Sequence, residues 1–406
     1  MSEVKNALFI MCDQLRWDYL QHAGHPHIRT PALDAFTRRA TRFSQCYVQA
    51  PVCGGSRMSF YTGRYAYSHG AHYNNFPLRI DERGLGDYLS EVGVHTSLIG
   101  KTHMKADDAA LERLGVDPGS DIGRRVRQVG FDAIERDDGL HPEVTLRANL
   151  PYNAYLRSHG YLGRNPWHEY ANSAAGPNGE ILSGWHMRHA NRPARVHRDH
   201  SETAYMTDRA LDFLSVDRAE PWCLHLSYIK PHWPYIAPEP YHRMYGPDEV
   251  LRANRTAAER AAPHPVVHAF MQHDESVSFA SQECRETVIP TYMGLISEID
   301  DHFARLIAHL EDSGRLDDTM VIFTSDHGDY LGDHWLGEKD LFHDEVVRVP
   351  MIIYDPSRAA DATRGETIEQ FVEAIDIVPT LLEALGGEPA RTSLDGRSLL
   401  PLMRGS

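Results

Sequence analysis

"TMVIFTSDH", residues 319 to 327, joins an unbroken apolar run to an aspartate and a histidine. A run of this length, bounded by polar residues, reads as a strand buried on both faces. The same arrangement recurs along the chain. "NALFIMC" (6–12) leads into Asp13 and Gln14, "HTSLIG" (95–100) into Lys101 and His103, and "WCLHLSYI" (222–229) into Lys230 and His232. "VPMIIYD" (349–355) is a fifth such run. Between them, "TPALDAFTRRA" (30–40), "GLGDYLSEVG" (84–93), "ETAYMTDRALDFLSV" (202–216) and "PTYMGLISEIDDHFARLIAHLEDSG" (290–314) carry helical periodicity. Pro290 near the start and Gly314 at the stop bound the last of these. Strands alternating with helices predict an α/β fold, a large and mostly parallel sheet with helices on both faces. Ligands in such sheets bind beyond the carboxyl ends of the strands. Four strands therefore bring carboxylates, histidines and lysines to one edge.

Residues 105–200 and 236–289 lack this rhythm and read as irregular insertions over that edge, shaping a pocket or a subunit contact. No internal repeat or low-complexity tract interrupts the pattern.

Composition narrows the function classes. The 406 residues, 42% hydrophobic and 24% charged, suit a globular protein with a large core. With 41 basic against 57 acidic residues the net charge is -16, which disfavours nucleic acid and anionic membranes as partners. The 25 histidines make metal or acid–base chemistry worth seeking. Five cysteines (Cys12, Cys46, Cys53, Cys223 and Cys284) are too sparse for a disulfide framework. The opening "MSEVKNALFIMCDQ" has only a short apolar run, without the longer core of a signal peptide, and no stretch approaches the length of a membrane span. A reducing, cytoplasmic setting is the expectation.

Asp13, Asp326 and His327, with Gln14, form a candidate oxygen-rich metal site with one imidazole. That donor set suits Ca²⁺, Mg²⁺ or Mn²⁺, and the histidine favours Mn²⁺. One aspartate after a strand would more simply be a helix cap or turn residue; two strand ends with matching chemistry favour a metal.

"PVCGGSRMSFYTGRY" (51–65) holds the candidate nucleophile, Cys53. A disulfide does not fit a reducing compartment. A thiolate phosphatase loop needs a longer gap than the three residues between Cys53 and Arg57. Zinc would want further Cys or His at short spacing. A buried inert thiol is the default for a lone cysteine, yet Pro51, Gly54 and Gly55 around it describe a special backbone.

The segment resembles the signature of the type I sulfatases of the alkaline phosphatase superfamily, C-x-P-S-R-x-x-x-x-T-G-R. The matching residues are Cys53, Ser56, Arg57, Thr62, Gly63 and Arg64; Gly55 departs from the usual Pro or Ala. "NALFIMCDQLRWDYL", "TPALDAFTRRATRFSQCY", "GKTHMK", "KPHWPY", "SDHGDYLGDHWLGEKD" and "DIVPTLLEALGG" extend the resemblance over most of the alternating framework. Asp13–Gln14 and Asp326–His327 resemble the phosphonate monoester hydrolases and their dimeric or tetrameric arylsulfatase relatives. "GKTHMK" is more sulfatase-like.

The resemblance implies an alkaline-phosphatase-like catalytic domain over 1–390, with 391–406 the start of a truncated C-terminal segment. It implies that a modifying enzyme converts Cys53 to formylglycine, whose hydrate, bound to Ca²⁺ or Mn²⁺, attacks the sulfur of a small sulfate ester. The second hydroxyl then expels sulfate and regenerates the aldehyde. Asp13, Gln14, Cys53, Asp326 and His327 would hold the metal, and Arg57 would orient the nucleophile. Lys101 would bind sulfate and His103 would take the proton of the intermediate. His232 and Lys339 would contact the substrate and protonate the leaving oxygen. Asn74 or Asn75 would touch sulfate or metal, or shape a turn. His334 and His343 stay unassigned neighbours, and "HAGHPH" (22–27) reads as a loop. A homo-oligomer, dimer or tetramer, is also implied. A sulfatase of aryl or small alkyl sulfates is the leading reading. A phosphonate monoester or phosphodiester hydrolase using the same centre is the alternative, and an inactive binding protein with an unmodified Cys53 is the third.

Overall fold

The computed structural model describes residues 4–139, 141, 150–390 and 392–405. Arg391 and Ser406, which bound the C-terminal segment expected above, lie outside the described residues. Eight strands form the main sheet: β1 (Asn6–Asp13), β2 (Thr41–Tyr47), β3 (His95–Gly100), β4 (Asp132–Arg136), β5 (Trp222–Pro231), β6 (Thr319–Ser325), β7 (Arg348–Tyr354) and β8 (Thr367–Glu373). Their order is β8-β2-β7-β6-β1-β5-β3-β4. Among the described residues of this sheet, only the two pairings of β7, with β6 and with β2, are antiparallel. The fold is the expected alkaline-phosphatase-like α/β sheet flanked by helices.

β1 shows why the strands read as continuous apolar runs. Leu8, Ile10 and Cys12 face one core, whereas Ala7, Phe9 and Met11 face the other. The first core is closed by α1 (Pro31–Thr37), α4 (Glu202–Ser215) and α5 (Gln282–Asp312). The second is closed by α2 (Cys53–Thr62), α3 (Leu85–Ser90) and α6 (Ile377–Ala384). Leu394, Leu399, Leu400 and Met403 are buried in that second core as well. Among the described residues no helix is long and apolar enough to cross a membrane.

Three expectations are corrected. α5 does not begin at Pro290; it starts at Gln282, capped by the Ser281 hydroxyl, and carries Pro290 inside it. Its buried positions before the proline, Val288 and Ile289, continue the same apolar stripe. The segment 105–200 is not wholly irregular, because it supplies β4, an edge strand of the main sheet. The special backbone at Cys53–Gly54–Gly55 is the first turn of a buried helix.

Because β1, β3, β5 and β6 run parallel, their carboxyl ends share one edge. Asp13 ends β1, Lys101 follows β3, His232 follows β5, and Asp326 follows β6. The helix start carrying Cys53 meets them there.

Candidate active site

Cys53 is the first residue of α2, after the extended Val52, so its side chain sits at the positive end of the helix. The next amide, of Gly54, donates to Asn74 Oδ1 at 2.7 Å. Both glycines are needed for close packing. A Cβ on Gly55 would lie 2.8 Å from the His72 carbonyl oxygen and from Ala50 Cβ; one on Gly54 would lie 3.0 Å from Asn74 Oδ1. The far half of the motif is structural. Gly63 caps α2 in the left-handed region (φ 67°), and Arg64 pairs with Glu82 at 2.7 Å.

Around Cys53 the groups are tightly drawn. Its Sγ lies 3.1 Å from His327 Nε2, 3.7 Å from Asp13 Oδ1 and 3.9 Å from Lys101 Nζ. Burial alone would push the thiol up. The Lys101 and Lys339 ammonium groups, His327 and a hydrogen bond with His103 outweigh it and hold the thiol well below its usual range.

Arg57, wholly buried, organises the carboxylates. Its Nε donates to Asp326 Oδ2 at 2.8 Å, and its Nη1 donates to the Lys101 carbonyl at 2.8 Å and to Ser227 Oγ at 2.7 Å. Its Nη2 is 3.7 Å from Asp13 Oδ2, against which the Lys101 ammonium also lies. Burial and the Cys53 thiolate push the Asp13 carboxyl up, but Lys101, His232 and Arg57 prevail and hold it below its ordinary range.

One donor atom each from Asp13, Cys53, Asp326 and His327 lies within 4.8 Å of the others, and all four residues are buried. The His327 ring fits a ligand role. Its Nδ1 is 2.8 Å from the Gly328 carbonyl and must carry the proton, which leaves Nε2 turned toward Cys53 and the carboxylates. Two carboxylates, one imidazole and the group at position 53 match a hard divalent cation.

Gln14, expected as a ligand, is differently engaged. It has φ 68°; its Oε1 accepts from Lys339 Nζ at 2.8 Å and its Nε2 donates to Asp329 Oδ2 at 2.6 Å. A cation would compete with Lys339 for that oxygen. Asn74 is also placed differently from the substrate contact expected of it. Its Oδ1 holds the nucleophile helix, so only its Nδ2 remains to reach a substrate. Asn75 adopts φ 66°, a turn position.

His103 (φ 51°) is held through its backbone N–H by Asp138 Oδ1 at 3.0 Å, and its Nδ1 is buried without a partner. His232 and Lys339 meet, Nε2 to Nζ, at 3.1 Å, and Glu338 flanks the lysine at 3.0 Å. His232 Nδ1 faces the Trp233 carbonyl, so the neutral ring accepts from Lys339 at Nε2.

Lys230 turns away from this centre and bonds Asn172 Oδ1 at 2.9 Å and the Pro234 carbonyl at 2.8 Å, bracing the loop that carries His232. His334 and His343 stack with ring centroids 4.2 Å apart, and His334 is salt-bridged to Glu259 and Glu345. Sequence reasoning left out Asp329, Tyr235, Glu338, Asp138 and Ser227, which hold the reactive residues in place. Asp329, three residues after Asp326 in "SDHGD", was the one with a visible signal.

The sulfatase family profile matches residues 5–387. The multifunctional alkaline phosphatase superfamily protein PehA of Trinickia caryophylli is 34% identical over 421 aligned positions, covering 98% of this chain and 77% of that one. An arylsulfatase of Clostridium perfringens is 27% identical, covering 93% and 74%. The structure of the phosphonate monoester hydrolase SpPMH from Silicibacter pomeroyi superposes with a TM-score of 0.85 at 30% identity, over 99% of this chain and 77% of that one. With a nucleophile position, two buried carboxylates and paired cations converging on one sheet edge, the chain belongs to the sulfatase family, enzymes that hydrolyse sulfuric esters.

Proposed function

We propose that this protein hydrolyses monoesters of sulfate with small aryl or alkyl alcohols, using a formylglycine made from Cys53 by a dedicated modifying enzyme. The observation that carries the reading is a lysine and a histidine on each of two sides of the site. Lys101 and His103 touch position 53, while His232 and Lys339 pair beside Gln14. One pair suits the sulfate oxygens and the nucleophile's proton, the other the leaving oxygen. A divalent ion held by Asp13, Asp326, His327 and the side chain at 53, proposed as Ca²⁺ or Mn²⁺, would supply a Lewis acid there. The aldehyde hydrate supplies a nucleophilic hydroxyl together with a second one through which the ester can be released.

The chain's own residues divide the remaining work. Arg57 neutralises Asp326 and fixes the carboxyl end of β3 through the Lys101 carbonyl. Lys101 holds a sulfate oxygen, and His103, whose ring bonds the side chain at 53, takes a proton there. Since His232 Nε2 accepts from Lys339 in the neutral ring, Lys339 is the primary proton source for the leaving oxygen. Asn74 keeps the helix start in register.

The likeness to PehA and SpPMH supports a second reading, a phosphonate monoester or phosphodiester hydrolase on the same residues. The test has two parts, on protein made in a host that contains the modifying enzyme. Peptide mass across residues 51–64 reports formylglycine or cysteine; cysteine in every copy sinks the mechanism and favours a binding-only protein. Comparison of kcat/KM for an aryl sulfate and an aryl phosphonate monoester separates the two hydrolases, and a large excess for the phosphonate overturns the first choice.

A further inference from the structure

Nine non-glycine residues have positive φ among the described residues, and five of them, Leu331, His334, Trp335, Glu338 and Asp340, crowd one loop. Lys339 sits between two of these, Glu338 at φ 60° and Asp340 at φ 91°. A side chain with a Cβ resists that region, so such a backbone persists only where its surroundings hold it. Glu338 is held by its own neighbours. Its carboxylate contacts Lys339 Nζ and accepts from Gln14 Nε2 at 3.2 Å, and its carbonyl accepts from the Tyr330 amide at 2.8 Å.

Asp340 is held from across the mouth of the site. Its amide donates to the Pro51 carbonyl at 3.1 Å, two residues before Cys53. Its Oδ1 accepts from the Tyr73 hydroxyl at 2.7 Å. Tyr73 directly precedes Asn74, which receives the Gly54 amide. The segment that sets the start of the nucleophile helix is thus tied to the residue after Lys339. Tyr73 is 47% exposed, so little core packing depends on it. Burial and the Asp340 carboxylate push its hydroxyl up to about 12, which keeps it a donor at working pH.

We propose that Tyr73 and Asp340 are positioning residues for Lys339, their hydrogen bond holding the left-handed turn at Asp340 so that the ammonium stays aimed at the leaving oxygen. This rests on the reading above that Lys339 serves the leaving group. A latch needed only for folding would lower turnover of every substrate alike. A latch that aims the acid matters most where the leaving group is poor and needs its proton.

The test measures kcat/KM over a series of aryl sulfates of rising leaving-group pKa, with aryl phosphonate monoesters in parallel. It uses the wild type, Tyr73→Phe, Asp340→Ala, Asp340→Asn and Lys339→Ala. Tyr73→Phe and Asp340→Ala should lose about tenfold or more on the poorest leaving group and under about threefold on 4-nitrophenyl, part of the roughly 10²–10⁴ a positioned acid supplies. Asp340→Asn keeps an oxygen that accepts from Tyr73 and should stay near the wild type. An equal loss on all leaving groups, no loss, or equal losses for Asp340→Asn and Asp340→Ala would overturn the proposal. Crystal structures of Tyr73→Phe and the wild type give a readout independent of turnover. Departure of Lys339 Nζ from Gln14 Oε1 and His232 Nε2 supports the latch, and an unmoved Lys339 refutes it. A Lys339→Ala slope equal to the wild type's, with Lys339 displaced in the Tyr73→Phe crystal, would instead remove the leaving-group role and leave the latch standing.

Discussion

Replacing Arg57 with methionine tests the electrostatic logic of the centre without relying on turnover. Arg57 is fully buried and its guanidinium serves Asp326 directly, Asp13 at longer range, and the Lys101 carbonyl and Ser227 hydroxyl. Methionine fills similar space with no charge; among the described residues this leaves Asp13 with Lys101 and Asp326 with no lysine or arginine in salt-bridge contact. Breaking a buried pair by removing one partner costs about 3–5 kcal/mol. At roughly 2 °C per kcal/mol for a chain of this size, the metal-free melting temperature should fall by about 6–10 °C.

The second half of the prediction is rescue. A divalent cation on the same carboxylates restores the missing charge, and at a hundredfold excess over its Kd it stabilises by about 2.7 kcal/mol. With one fewer competing cation, Arg57→Met should gain more from Ca²⁺ or Mn²⁺ than the wild type does. Acid should also narrow the gap. Burial already lifts the Asp326 carboxyl above its ordinary range with Arg57 beside it, and removing the guanidinium lifts it further, so the added penalty is absent at low pH and grows as pH rises. Calorimetry or dye-monitored melting of both proteins, with and without metal, at pH 5 and pH 8, reads all three effects. A fall of under about 2 °C, or an equal metal gain in both proteins, would refute this account of the site.

Two other substitutions probe features away from the reacting atoms. Burial pushes the Glu298 carboxyl up to about 7 from 4.5, with the Ser201 hydroxyl and Lys230 only partly offsetting it. Such a group favours the fold below its unfolded pKa and loses that contribution as pH rises through about 7, some 3 kcal/mol in all. Glu298→Gln should therefore raise the melting temperature more at pH 8 than at pH 5; equal shifts would count against it. At Gly55, an added Cβ would meet the His72 carbonyl and Ala50 at 2.8 Å, so Gly55→Ala should cost about 1–3 kcal/mol and shift the loop that carries Asn74. Melting and kcat/KM together check this, and a Gly55→Ala protein as stable and active as the wild type would show that the close approach is not required.

What the sequence made legible follows from where each strand lies. β1, β3, β5 and β6 occupy the middle of the sheet; burial on both faces writes β1 and β6 as nearly continuous apolar runs, β3 and β5 mix polar residues into theirs, and all four end at functional residues. β4 ("DAIER") and β8 ("TIEQFVE") are edge strands with mostly exposed side chains, so no such run marks them. Pro290 looked like a start signal because it removes a helical donor. The apolar stripe on both sides of it holds α5 together regardless, with Val288 and Ile289 before it and Tyr292 and Met293 after it wholly buried.

Within the site, residue types announced Asp13, Cys53, Lys101, Asp326 and His327, but not their partners. Asn74 accepts from the Gly54 amide, Gln14 accepts from Lys339, and Tyr73 donates to Asp340 only because loops distant in sequence meet. Those meetings coincide with conformations that local preference opposes. Gln14, Asn75, His103, Glu338 and Asp340 all have positive φ, and each lies at or beside a residue assigned to the chemistry. Local propensity must fail at these positions if the side chains are to converge. A reading built on propensity is therefore least informative at the positions where the fold is held in place for its reaction.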